Sequence, residues 1–308
     1  MDLAILIISL IRSGIKMATP LVMTSIGEIF AERSGVINIG LEGMMLTGAL
    51  GGMLGSYFTG SPWIGLLVGM GAGFLLAGLF SLVTVFLGSD QVVMGAALNL
   101  LALGLTGVFY RQIFGITGTA LTVQTFEPID IPLIDQIPLI GNILSGHTAP
   151  VYLGFLLVPV AVWLLFYTTL GLSIRAVGES PMAADAAGIP VNRVRHGCIL
   201  ACGILTGAAG SYLSLAHANT FIEGMSAGRG FIVLAIVIIG RWHPVGAMGA
   251  ALLFGIANAV QFQFQAIGTS IPYQLFLMLP YVLTLLVLIF FAGHARYPAA
   301  MAQAYRRD

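Results

Sequence analysis

Few groups in this chain can do covalent or metal chemistry, and they are scattered. Five histidines, His147, His196, His217, His243 and His294, show no metal-ligand spacing and no arrangement with a nucleophile. Cys198 and Cys202 lie one helical turn apart, but no further ligand follows them, so they read as small apolar residues on one helix face. The one lysine, Lys16, follows Ile15, whereas a phosphate-binding P-loop needs Gly-Lys-Ser/Thr. The chain is therefore expected to be no enzyme by itself: it has no catalytic residue, metal site or cofactor in view and no ATPase of its own. What remains is a set of polar residues within or beside apolar runs, where burial in lipid is costly. Asn38 and Glu42 are four apart, Asn99 sits in the middle of an apolar run, Glu223 and Arg229 flank the start of a short one, and Asn258 lies in another. Singly, each is as well explained by an interhelical hydrogen bond or a cap. Together, Asn38, Glu42, Asn99, Arg229 and Asn258 point to a path for a polar solute.

A second constellation is local. Glu179-Ser180-Pro181-Met182-Ala183-Ala184-Asp185-Ala186-Ala187-Gly188 spells one short, isolated helix. Ser180 is a good N-cap and Pro181 suits the first helical position. The alanines favour helix, Gly188 is a natural stop, and Pro190 prevents continuation. So short a helix is marginal alone. Its small side chains suit docking into a groove on another protein, unless the segment is a simple surface turn.

The elements that must position these residues follow from composition. Of 308 residues, 58% are hydrophobic and 8% charged, against about 25% charged in a soluble domain. The 40 glycines sit inside apolar runs, as they do in membrane helices. Net charge is zero, which leaves no basic footprint for nucleic acid. A bilayer core needs about 20 apolar residues per helix. Runs of that kind predict an all-α, polytopic transmembrane bundle of eight to ten spans. They fall near 3–27, 36–58, 62–87, 91–110, 150–170, 196–218, 229–240, 245–265 and 272–292. The first is interrupted by Arg12, Lys16 and Pro20 and reads as one helix or two; the seventh is short for a span. Met1-Asp2-Leu3 lacks the basic start of a secretory signal, so the first segment is expected to persist.

Basic residues set orientation. The segment 171–195 carries Arg175, Arg193 and Arg195, and the C-terminus carries Arg296, Arg306 and Arg307. Both are expected in the cytosol. The loop 111–149, with Glu127, Asp130 and Asp135, falls outside. The side of the N-terminus stays open. The whole chain, 1–308, reads as one transmembrane domain with no linker. Gly65, Gly69, Gly73, Ala77 and Ser81 form a small-residue stripe at spacing four, and Gly203 and Gly207 repeat the device, which allows close helix approach in lipid. Leu46-Thr47-Gly48-Ala49 with Gly55-Ser56-Tyr57 is faintly echoed by Leu205-Thr206-Gly207-Ala208 with Gly210-Ser211-Tyr212.

Three stretches carry a resemblance. They are Gly27-Glu28-Ile29-Phe30-Ala31-Glu32-Arg33-Ser34-Gly35-Val36-Ile37-Asn38-Ile39-Gly40-Leu41-Glu42-Gly43-Met44-Met45, then Ile174-Arg175-Ala176-Val177-Gly178-Glu179 through Gly188, then Gly228-Arg229-Gly230-Phe231-Ile232 through Gly240-Arg241-Trp242-His243-Pro244. Through them the chain resembles the permease subunit of ABC importers of the branched-chain amino acid and ribose type, and within that group the nucleoside and simple-sugar permeases. His243 stands where relatives often have Asn. The resemblance implies a bacterial inner-membrane location and three partners besides the lipid bilayer: a cytosolic ATP-binding subunit, a second and paralogous permease, and an extracytoplasmic solute-binding protein. It implies that Glu179, Ser180, Pro181, Ala184, Asp185 and Gly188 belong to the ATPase-coupling element, and that transport runs by alternating access driven by the separate ATPase. A self-contained secondary transporter is the competing reading. It needs intramembrane carboxylates, and Glu42 is the one candidate within an expected span. The solute stays open among purine nucleoside, simple sugar and branched-chain amino acid.

Overall fold

The computed structural model describes residues 3–115, 121–131, 140–267 and 297–305, with isolated positions between 275 and 289. Its first helix, α1 (Leu3–Arg33), has 31 residues and runs about 46 Å at 1.5 Å per residue. It is one unbroken helix and ends six residues later than the apolar run predicts. Proline at position 20 cannot donate to the carbonyl four residues back. That carbonyl, of Lys16, instead accepts the Tyr212 hydroxyl at 3.1 Å, so a neighbouring helix satisfies the freed group. The C-terminal turns of α1 are buried, which is why glutamates there do not end the helix.

After a turn, α2 (Leu41–Thr59) begins at residue 41, later than the 36 expected, because Gly35 at φ +90° reverses the chain and 36–40 stays non-helical. Then follow α3 (Pro62–Ser81), extended by a π-helical turn Leu82–Phe86, and α4 (Gln91–Phe114), capped by Asp90 on the amides of Val92 and Val93. α4 runs four residues past the expected 110. The outer segment holds a two-residue ladder, β1 (Pro128–Ile129) with β2 (His147–Thr148), antiparallel, and a short α5 (Ile140–Leu144). Next come α6 (Ala149–Tyr167), α7 (Thr169–Glu179), α8 (Pro181–Ala186), α9 (Val191–Tyr212, with a π turn to His217), α10 (Arg229–Ile239) and α11 (Pro244–Ile267). The segment 171–195 is thus mostly helical rather than a loop. α9 starts five residues before the apolar run because Arg195, which hydropathy excludes, is 2% exposed.

Among the described residues six helices are long and apolar enough to cross a membrane: α1, α3, α4, α6, α9 and α11. α2, at 19 residues, would reach about 28 Å but is shielded on several sides and has no need of an apolar surface. α10, at 11 residues, reaches only about 16 Å. The span expected at 272–292, and His294, Arg296, Arg306 and Arg307 with it, lies outside the described residues apart from isolated positions.

α2, α3 and α9 form the tightest contact in the fold. The stripe of α3 meets the other small residues directly: a Cβ on Gly69 would strike Ser211 and the Gly48 carbonyl, and one on Gly73 would strike Gly203 and Gly207. The two stripes are therefore the two sides of one interface. Around α1 a second layer packs α6, α10 and α11 on Leu21, Ile26, Val233 and Phe254. Large apolar side chains such as Leu75, Leu100 and Trp163 are left exposed on the outer faces of α3, α4 and α6, the surface that lipid covers.

Candidate functional site

The polar residues singled out in the sequence gather around the turn between α1 and α2. Asn38 is fully buried, and its side chain turns inward. Its Oδ1 accepts the Gly40 amide at 3.0 Å and its Nδ2 points at Met44 Sδ (3.4 Å) and Cys202 Sγ (3.7 Å). It stands before α2, so it does not share a helix face with Glu42. Asn99 reaches the same turn from α4: its Oδ1 accepts Gly43 N–H at 2.8 Å and its Nδ2 donates to Ile39 O at 2.9 Å. Both ends of its amide are thus spent on backbone.

Two residues the hydropathy reading passed over complete this cluster. Glu28 and Glu32, one turn apart on α1, are 0% and 1% exposed. Glu28 accepts the Asn38 amide at 2.8 Å and the Cys202 thiol at 3.4 Å. Glu32 accepts the Trp242 indole N–H. Intramembrane carboxylates are therefore not confined to Glu42. Trp242 is held in a left-handed turn with Arg241 (φ 53° and 54°), and its carbonyl accepts Arg33 Nε at 3.1 Å. Such a conformation persists only when its surroundings over-determine it. The signal for these residues was in the quoted stretches 27–45 and 228–244, but their partners lie far along the chain. His243, next in sequence, stacks on Phe166 at 5.0 Å, with the Arg33 and Arg175 guanidinium groups over the same ring. Burial first, and then the Arg33 charge, hold its pKa below the ordinary histidine value.

Glu42 and Arg229 do come together. The Glu42 carboxylate accepts Gly228 N–H at 2.7 Å and Gly230 N–H at 2.8 Å. It thereby occupies the positive end of the half-length helix α10. A Cβ on Gly230 would collide with the Glu42 backbone, so only glycine permits this approach. Arg229 folds back on Met225 O and Ser226 O at 2.9 and 3.1 Å. Lys16 and His217 are exposed and Arg229 half-buried. Of these three basic residues the sequence reading singled out Arg229 alone. Asn258 stands apart on α11, its amide donating to Phe254 O in its own helix at 2.9 Å. A groove of 770 Å³ between α6, α7 and α9 is almost wholly apolar and contains none of this polar set. Among the described residues no cluster could hold a metal, and both cysteines are free and buried.

The second site is α8. Ser180 caps it by accepting Ala183 N–H at 3.4 Å, and Pro181 takes the first turn. At the other end Gly188, at φ +85°, donates to Asp185 O (2.9 Å) and Ile189 donates to Ala184 O (3.0 Å), the paired bonds of a Schellman stop. Glu179 and Ser180 are exposed, as are Met182, Ala183, Ala186 and Ala187. Ala184 corrects the expectation: at 4% exposure it faces Val177 and Val191 of its own chain and cannot belong to an outward face.

Comparison with known proteins agrees with this layout. Residues 10–288 match the family described as branched-chain amino acid transport system / permease component. The chain is 39% identical to nucleoside ABC transporter permease protein NupC of Lactococcus lactis, covering 92% of each. It is 37% identical to guanosine ABC transporter permease protein NupQ of Bacillus subtilis, over 99% of this chain and 98% of that one. It is 34% identical to putative glucose ABC transporter permease protein TsgC13 of Haloferax volcanii, over 97% and 98%. No solved structure matches. A multi-pass helical chain matched along this length belongs to the branched-chain amino acid transport system permease family, the membrane component of ABC transporters.

Proposed function

We propose that this chain lines half of the path by which a purine nucleoside enters the cell, and that a separate ATPase docked on α8 drives it. Family membership favours this over a self-contained secondary transporter. The observation that carries the solute class is the near full-length likeness to proteins named as guanosine and nucleoside permeases. A simple sugar is the second reading, favoured by the glucose-permease relative. Lys16, His217 and Arg229, exposed or half-buried, are read as a basic lining that a second permease would complete. An extracytoplasmic binding protein would deliver solute to that opening.

In the same reading α7, α8 and the C-terminus face the cytosol of a bacterial inner membrane, and 111–149 faces outside. Met182, 76% exposed on α8, tests the orientation. In a background lacking Cys198 and Cys202, Met182→Cys should resist an impermeant thiol reagent on intact cells; labelling from outside inverts the topology. The solute is tested by uptake of radiolabelled guanosine, adenosine, glucose and leucine in cells that carry the assembled transporter. Uptake of a nucleoside that the other solutes do not compete supports the proposal. Competition by glucose alone replaces it with the sugar reading.

A further inference from the structure

The C-terminal segment 297–305 ties together elements that the transport path and α8 do not otherwise join. Ala300 N–H donates to Gly178 O at 2.9 Å, on the last turn of α7, and Ala302 N–H donates to Gly35 O at 3.1 Å, in the turn after α1. Arg195 of α9 bridges that turn and the segment. Its Nε donates to Ser34 O at 3.1 Å and its Nη1 to Gln303 O at 2.8 Å. At one end of the segment the Tyr297 ring meets Trp242 edge-on at 5.0 Å, the residue that Glu32 of α1 holds. At the other, Tyr305 packs against the cluster formed by Val177, Ala184 and Val191. Ala184 is the inward residue of α8. Ala302 itself sits at φ +60°, which a non-glycine residue adopts only under constraint.

We infer that residues 297–305 form a strap that transmits movement of α8 to the buried end of α1, with Ala302 and Tyr305 as positioning residues. α8 has six residues and cannot act as a rigid lever alone. The strap grips it through Tyr305 and is anchored by backbone bonds to the turn that leads from α1 into α2. That turn leads into α2, where the Glu42 carboxylate holds the start of α10. A displacement of α8 thus has a continuous route of packing and hydrogen bonds to the start of α10 and Arg229. The inference rests on reading α8 as the ATPase-docking helix.

The test uses the assembled complex with its ATPase, second permease and binding protein, in proteoliposomes, with radiolabelled guanosine as probe. Ala302→Pro removes the donor to Gly35 O and cannot adopt positive φ. Ala302→Gly keeps both. Tyr305→Ala removes the ring that packs against the cluster containing Ala184. Ala302→Pro and Tyr305→Ala should keep the ATPase bound but transport at least about fivefold more slowly, the factor one neutral hydrogen bond carries. ATP hydrolysed per guanosine delivered should rise in both, and Ala302→Gly should match the parent. Parent-like transport and coupling ratio in both disruptive variants overturn the strap. So does loss of the ATPase from both, which makes the tail part of the docking surface, and so does their loss from the membrane, which makes it a folding element. Ala183→Arg, on the outer face of α8, separates the two ideas: if that complex keeps its ATPase, the docking reading fails first and the strap with it.

Discussion

Replacing Glu42 with glutamine leaves the side chain its size and removes one of the two acceptors that α10 uses. In the parent, the two carboxylate oxygens accept Gly228 N–H and Gly230 N–H at 2.7 and 2.8 Å. A glutamine has one acceptor oxygen and an NH2 group, so one of the two amides then faces a donor. Losing a charge-assisted bond and leaving its partner unmet costs about 2–3 kcal/mol, or roughly a 30- to 150-fold shift against the clamped helix start. Arg229 sits between those two amides in sequence, so its place at the start of α10 depends on the clamp. The initial rate of nucleoside uptake should therefore drop about tenfold or more while the chain reaches the membrane at parent levels. Glu42→Asp keeps the charge but is one methylene short of spanning both amides, so it should fall between parent and Glu42→Gln. Uptake in Glu42→Gln with parent rate and apparent affinity would show that the start of α10 is neither held by this carboxylate nor part of the path.

Three further outcomes follow from the geometry. Ala183→Arg on the exposed face of α8 should abolish ATPase pull-down with the bundle intact, since an unpaired charge at a buried interface costs about 3–5 kcal/mol; Ala184→Arg should instead lower the amount of folded chain, because that position is already filled by its own core. Tyr212→Phe should cost stability only while Pro20 is present: with Pro20→Ala the residue-20 amide serves Lys16 O itself, so thermal unfolding of the four variants in detergent should show a coupling of about 1 kcal/mol. His147, 1% exposed, has its pKa held below the ordinary value by burial and then by the Arg12 and Lys16 charges, while its bond to Ile143 O opposes the shift. Its contribution to stability is complete above the ordinary histidine value of about 6.5 and is lost as pH falls below it. Thermal unfolding should drop between pH 7.5 and 5.5 in the parent, by more than in His147→Gln; equal slopes would dissociate the loop from this proton.

What was legible in the sequence divides along physical lines. Runs without charge, such as 62–87 and 245–265, gave α3 and α11 almost to the residue, because a lipid-facing helix must be apolar whatever it packs against. The cap and stop of α8 were equally local: Ser180, Pro181 and Gly188 act within one turn. Elements failed where burial depends on distant partners. Glu28 and Glu32 look like the polar end of a span until Cys202 and Trp242 are brought to them. Arg195 looks like a loop residue until Ser34 and Gln303 supply carbonyls. Ala184 could be placed on α8 but not on its inner side, since a six-residue helix has no periodicity to tell the two apart.

The echo between 46–57 and 205–212 gains a physical meaning that neither copy has alone. Gly48 meets Gly207, its counterpart in the echo, and beside that pair Gly52 meets Ser211 across the α2–α9 contact. Ser211 Oγ donates to Gly48 O at 3.1 Å, crossing an interface where no Cβ intervenes on the α2 side. Lipid offers no hydrophobic drive for helices to associate, which leaves close packing and such bonds to hold them. The centre of the bundle is accordingly built from its smallest residues. Two carboxylates lie beyond the same end of that contact zone: Glu42 six residues before Gly48 on α2, and Glu28 against Cys202, five residues before Gly207 on α9. So close a small-residue contact ties α2 to α9, and the two are expected to move together. The parts left to move against this pair are the half-helix α10, held by Glu42, and the end of α1, held by Glu32 and the strap.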